Sequence, residues 1–173
     1  MSFTRLLSTV ACDLSTAKCQ RRYTRVVELF QVDEAGRLFI SPALDSWDAA
    51  EAAGIDVVID LEGDLDACIP TAANRCLYVY FPIDDDNELM PSETKLRAVA
   101  RMGASLVADG HRVLSHCGMG FNRSALVAGM ILVELGVPGT AAVDQIRARR
   151  PGALYNDRFA EFLAGLAPSR ADV

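Results

Sequence analysis

Histidine is scarce in this chain. His111 and His116 are the only two among 173 residues, which excludes a histidine-rich metal centre. Long apolar runs are missing as well: no stretch approaches the roughly 18 residues that a membrane span needs. Positive charge is in deficit. Lys and Arg number 17 against 23 Asp and Glu, giving a net charge of −6 and a pI of about 4.9. An acidic surface repels polyanions, so neither nucleic acid nor an anionic membrane is an expected partner. Paired cysteines are absent too. Cys12, Cys19, Cys68, Cys76 and Cys117 are odd in number, and their spacing repeats no zinc-binding pair. The opening MSFTRLLSTVAC has too short an apolar core and too little early positive charge for a secretory leader. A reduced, cytoplasmic setting is therefore expected. Internal repeats and low-complexity segments are not found.

What is present is an ordinary globular composition, 51% apolar and 23% charged. The length suits one domain with a real core. VVELFQV and RLFIS read as two strands joined by the turn residues DEAG. SPALDSWDAAEAAG reads as a short helix, with Pro42 near its start and Gly54 as its stop. IDVVIDL is a buried strand, EGDLDACIPTAANR a loop, CLYVYFPI a strand and DDDNELMP a polar loop. From Pro91 to Asp109 a helix is expected, with Leu96, Val99, Ala100, Gly103 and Val107 on one face. HRVLSH is a strand. SALVAGMILVEL is apolar all round, which predicts a helix at the centre of the domain. Pro138 opens a further helix that ends by Arg150 and Pro151. Asn156 can cap a last helix carrying Phe159, Phe162, Leu163 and Leu166. Strands alternating with helices predict an α/β fold with a mainly parallel central sheet flanked by helices. Ligands bind such sheets at the carboxyl ends of the strands, where DDDNELMP and CGMGFNR emerge.

The second of these loops has chemistry in it. It feeds a helix N-terminus, where backbone N–H groups and the helix dipole make an anion site. Gly118 and Gly120 let the N–H groups converge. Arg123 adds a planar fork that can grip two phosphoryl oxygens. The same field favours the thiolate of Cys117 over the thiol, so the loop offers a nucleophile at the floor of a phosphate cradle. His116 reads as a buried strand histidine whose ring bonds the loop backbone, and so both fixes the loop and tunes Cys117.

HCGMGFNRS resembles the His-Cys-x5-Arg-Ser/Thr loop of the cysteine-dependent dual-specificity protein phosphatases. The resemblance runs from about Leu38 to Leu166. RLFISPALDSWDAAEAAGIDVVIDL is similar to that family's opening strand, helix and second strand. YFPIDDDNELMP is similar to its general-acid loop, and IRARRPGALYNDRFAEFL to its C-terminal region. The resemblance implies a phosphatase domain over residues 26–168, with 1–25 an N-terminal arm or lead-in segment and 169–173 a tail. It implies that Cys117 forms a phosphocysteine and that Arg123 binds the phosphoryl group. It makes Ser124 a donor to the sulfur and sets the N–H groups of Gly118, Met119, Gly120, Phe121, Asn122 and Arg123 on the phosphate oxygens. His116 and Asn156 support the loop, and no metal or cofactor is used. The general acid comes from Asp84, Asp85 or Asp86, and lining FPIDD up with the family pattern selects Asp85.

The loop carries no lysine to meet extra phosphates, so a substrate with one phosphate is expected: phosphotyrosine on a protein first, then phosphoserine or phosphothreonine. Met119 and Phe121 either line an aryl pocket or pack inward. Two alternatives stand. RNA 5′-triphosphatases of the same fold have a similar Gly-Phe-Asn-Arg loop, though RNA needs a basic track that this chain lacks. A non-catalytic phosphate-reading module is the other. A disulfide from Cys68 or Cys76 to Cys117 is a further open question.

Overall fold

A computed structural model describes residues 27–169. The expected N-terminal arm, Cys12, Cys19 and most of the expected tail lie outside the described residues. A five-stranded sheet forms the centre. In chain order the strands are β1 (Phe30–Gln31), β2 (Leu38–Ser41), β3 (Val57–Asp60), β4 (Leu77–Tyr80) and β5 (Val113–His116). Their order across the sheet is β1-β2-β5-β3-β4. Only β1 runs antiparallel to its neighbour. The helices are α1 (Asp48–Ala52), α2 (Glu93–Ala108), α3 (Arg123–Glu134), α4 (Gly139–Arg149) and α5 (Asp157–Ala164). The mainly parallel α/β sheet flanked by helices is thus the one the sequence predicts.

Every residue of β2, β3 and β5 is buried, as expected of parallel strands covered on both faces. Alternation sorts them. Leu38, Ile40, Val57, Ile59 and Val113 point to one core, while Phe39, Val58 and Leu114 point to the other. The first core is the larger and is closed by α3, whose residues from Ser124 to Val133 are all buried. A fully buried Leu, Ile, Val or Met is worth ~1.5–3 kcal/mol. Leu126, Val127, Met130 and Ile131 therefore anchor α3 firmly, and with it the loop that enters it. Gly103 lets α2 come close to α3, since an added Cβ there would lie 2.6 Å from Ile131.

The register levels the strand ends. His116 pairs with Ser41 on one side and with Asp60 on the other, and Asp60 pairs with Tyr80. The residues that follow these strands therefore leave along one edge.

Two elements are shorter than the sequence suggests. The expected strand VVELFQV reduces to Phe30–Gln31, and α1 occupies only Asp48–Ala52 of its expected span. The reason for the second lies in the neighbouring loop. The backbone after Ser41 passes along Gly118, whose carbonyl accepts from the Ala43 N–H at 3.4 Å. A chain engaged there cannot close a helical turn until it is past the loop.

Candidate active site

Cys117 follows β5 directly and is 2% exposed. Its Sγ lies 3.5 Å from Ser124 Oγ, and its N–H donates to the Ser41 carbonyl at 3.4 Å. The loop then turns at Gly120, which has φ +68°. Asn122 occupies the N-cap of α3, yet its side chain makes no capping bond. Asparagine at this position ordinarily accepts from the first helical N–H groups. Here it faces the other way, so no side chain of its own closes the α3 N-terminus. N–H groups at the start of a helix need partners, and an anion in the cradle would supply them.

The Asn122 side chain is instead committed to Asp85. Its amide donates to Asp85 Oδ2 at 2.8 Å, and its carbonyl accepts the Asn156 N–H at 3.1 Å. The Asn156 amide donates to the other Asp85 oxygen, also at 2.8 Å. Asn156 Oδ1 caps α5 by accepting from the Phe159 N–H at 3.1 Å. Asp85 is thus tied across to the cradle by both oxygens. Asp86 turns away and caps its own loop, accepting from the N–H groups of Glu88 and Leu89, which hold its carboxyl below its ordinary range. Asp84 lies with Asp86 along a separate cavity of about 330 Å³.

Arg123 is held at several points. Its Nη1 donates to the carbonyls of Leu61 and Ile83, each at 3.1 Å, and its Nη2 pairs with Glu62 at 2.8 Å. Its Nε is buried and has no partner among the described residues. Burial works against the Glu62 charge, but the Arg123 guanidinium and the N–H groups of Gly63 and Gly118 outweigh it. The Glu62 carboxyl sits below its ordinary value as a result.

His116 is placed differently from expectation. Its ring makes no hydrogen bond to the loop backbone. It is fully buried, with Nε2 2.7 Å from Asp66 and 3.6 Å from Asp60. Asp60 also accepts from the Glu62 N–H at 2.8 Å and from the Tyr78 hydroxyl. Burial and that carboxylate push the Tyr78 phenol well up. The histidine therefore links the floor of the cradle to the end of β3, where Glu62 begins. Asp60, Asp66 and His116 can bring their ligand atoms within 4.8 Å of one another, so this mixed group could hold a metal where a histidine-rich one is excluded.

Met119 is 65% exposed at the mouth of the cradle. Phe121 is half-buried, one face 4.0 Å from the Arg150 guanidinium. Phe30 covers the other side at 4.0 Å, and Arg150 donates to the Met119 carbonyl at 2.8 Å. Cys117 belongs to the first core, while Cys68 and Cys76 pack with the second across the sheet. All three are free thiols, which answers the disulfide question for this conformation.

Glu62, Asp60, Asp66 and Arg150 were not singled out from the sequence. The signal available for the first three was the acidic run DLEGDLD, which leaves a buried strand at the carboxyl edge of the sheet. Nothing comparable marks Arg150. No helix among the described residues is long and apolar enough to cross a membrane.

No family model matches the sequence, and no curated protein matches it. Solved structures do. A mouse protein assigned as a dual specificity phosphatase, complexed with zinc tungstate, aligns at a TM-score of 0.65 and 25% identity. The match covers 78% of this chain and 83% of that one. Tk-PTP in its active form aligns at 0.62 and 25% identity, over 78% of this chain and 92% of that one. The human tyrosine phosphatase-like serine/threonine/tyrosine-interacting protein aligns at 0.63 and 20% identity, over 78% and 92%.

Proposed function

We propose that this chain, which has the dual-specificity phosphatase fold of the protein tyrosine phosphatase superfamily, hydrolyses phosphate monoesters on proteins through a phosphocysteine. Phosphotyrosine comes before phosphoserine and phosphothreonine, and no metal takes part. The observation that carries this reading is a buried cysteine under an uncapped helix N-terminus, with an aspartate tied across the same loop.

The placement of the groups supports the following steps. The phosphoryl oxygens take the loop N–H groups and the Arg123 guanidinium, whose Nε is without a partner. The Cys117 thiolate attacks phosphorus; the S–P bond forms as the P–O bond to the substrate breaks. Asp85 gives its proton to the departing oxygen. A water then attacks the phosphocysteine, and Asp85 takes that water's proton. As the S–P bond breaks, the Ser124 hydroxyl donates to the sulfur and eases its departure. Arg123, already fixed by two carbonyls and Glu62, needs little reordering to meet the charge that develops.

The test is release of phosphate from an aryl phosphate and from a phosphotyrosine peptide, with and without EDTA. Turnover unaffected by chelator is expected. Cys117→Ser should abolish it while leaving phosphate-mimic binding intact, because a serine hydroxyl stays protonated where a thiolate is needed. Retained turnover in that variant sinks the mechanism. Faster hydrolysis of triphosphate-ended RNA than of phosphopeptide would replace the substrate class.

A further inference from the structure

A groove of about 560 Å³ runs from the mouth of the cradle at Gly118 and Met119. Its walls are apolar, with Val27, Phe30, Pro42 and Phe121 among them, and two carboxylates, Glu28 and Asp45, stand in its lining. Both are exposed. Among the described residues the one cation in the lining, Arg150, is already engaged: its guanidinium lies between two aromatic rings and donates to the Met119 carbonyl. Glu28 is close enough to help keep that guanidinium charged, although burial lowers its pKa overall.

We propose that this groove takes a lysine or arginine side chain next to the phosphorylated residue, so that the preferred substrate is a phosphopeptide with a basic flank. This rests on the phosphatase reading above. Two separate features converge on that occupant. The first is shape and polarity: lysine and arginine lay an aliphatic stem along apolar surface and keep a charged head at a polar rim. An acidic side chain would meet Glu28 and Asp45 with like charge, and an apolar one would gain no attraction from either carboxylate.

The second is the field around the whole mouth. Glu62 lies against Gly118, with Arg123 as its partner, and Asp84 and Asp86, the sequence neighbours of Asp85, line the cavity of about 330 Å³. Among the described residues, the cations that face Asp84 and Asp86 are Lys95, which lines that cavity, and Arg158, which acts on Asp86. A site built to hold a phosphate dianion is thus ringed mainly by carboxylates outside its cradle. Such a field repels a substrate that carries only negative charge and admits one whose phosphate is flanked by cations.

Two phosphotyrosine peptides, alike except for arginines or glutamates flanking the tyrosine, test the proposal. The expected kcat/KM ratio favours arginine on the order of tenfold at low salt, narrowing as salt rises. A Glu28→Lys/Asp45→Lys variant should shrink or invert the ratio. Because the two peptides are compared on the same preparation, loss of folded protein cancels. Binding of both peptides to Cys117→Ser, measured by calorimetry, reads the same preference even where turnover fails. Failure to release phosphate from any substrate counts against the phosphatase reading alone. Equal kcat/KM and equal affinity for the two peptides, or a ratio unmoved by the double variant, overturns the groove.

Discussion

Gly120→Ala is the perturbation whose consequence can be worked most fully. The residue sits at φ +68°, where an L side chain costs ~1–2 kcal/mol. An added Cβ would also lie 2.5 Å from Pro42 N and Ser41 O, where ordinary contact begins at 3.4 Å. Both obstacles are backbone, and neither can swing away. Ser41 ends a buried strand, is paired with His116, and accepts the Cys117 N–H. The loop itself must give, and a misplacement of roughly 1 Å in a reacting site can cost ~10²-fold. Overpacking adds ~1–3 kcal/mol to the conformational cost. For a domain of this size the sum lowers Tm on the order of 10 °C. The assay is kcat on an aryl phosphate beside a thermal melt. Gly118→Ala is the control: its Cβ would meet Glu62 Oε2 at 2.5 Å, the tip of a partly exposed side chain that can move. It should melt close to the wild type. A Gly120→Ala protein with wild-type kcat and wild-type Tm would refute the claim that backbone contact sets the cradle.

The other predictions probe the groups around that loop. Arg123→Lys keeps the charge but not the fork, and should lose ~10²-fold or more in kcat; near-normal kinetics would make Arg123 a purely structural residue. Asp85→Asn should lose ~10²-fold or more on phosphopeptide and clearly less on an activated aryl phosphate, whose leaving oxygen needs no proton. Asn122→Ala should give a weaker form of that pattern by removing one of Asp85's two amide partners; the same pattern from Asp84→Asn or Asp86→Asn would move the acid. Glu62→Gln tests the lowered carboxyl. A carboxylate stabilised by Arg123 adds stability above its ordinary value of 4.5, and loses it as pH falls through the lower folded value. The Tm gap between Glu62→Gln and wild type should therefore be open at neutral pH and close below about pH 4. A gap independent of pH would mean that the pair contributes nothing through charge.

Much of the framework was readable because it depends on local pattern. The apolar run after Arg123 had no polar face, so it had to be central, and Gly136 ends it at φ +96°. The short apolar runs of the strands and the Pro and Gly stops placed most of the rest, the first strand and α1 being shorter than expected. What the pattern could not reveal was competition between distant segments. The stretch after Ser41 has helical composition, yet its backbone is engaged by Gly118, far along the chain. His116 was read against its neighbours in sequence, while its partners are Asp60 and Asp66 on another strand and loop. Arg150 looked like the end of a helix and proved to be the filling of an aromatic stack.

Asn122 shows most clearly why a site is harder to read than a fold. In sequence it is one of five variable loop positions, and as a helix N-cap it has an obvious local use. That use would have consumed the very N–H groups that a phosphate needs. The side chain instead reaches Asp85 and Asn156, which lie 37 residues before it and 34 after it. One rotamer thus has two effects: it leaves the α3 N-terminus open to an anion, and it fixes the acid relative to that opening. The two effects are coupled by geometry, since turning Asn122 inward to cap α3 would release one oxygen of Asp85 at the same moment. A substitution here that caps α3 should therefore change acid positioning and anion affinity together, whereas one at Asn156, whose side chain bonds Asp85, the Asp86 carbonyl and the first turn of α5, should change the first alone.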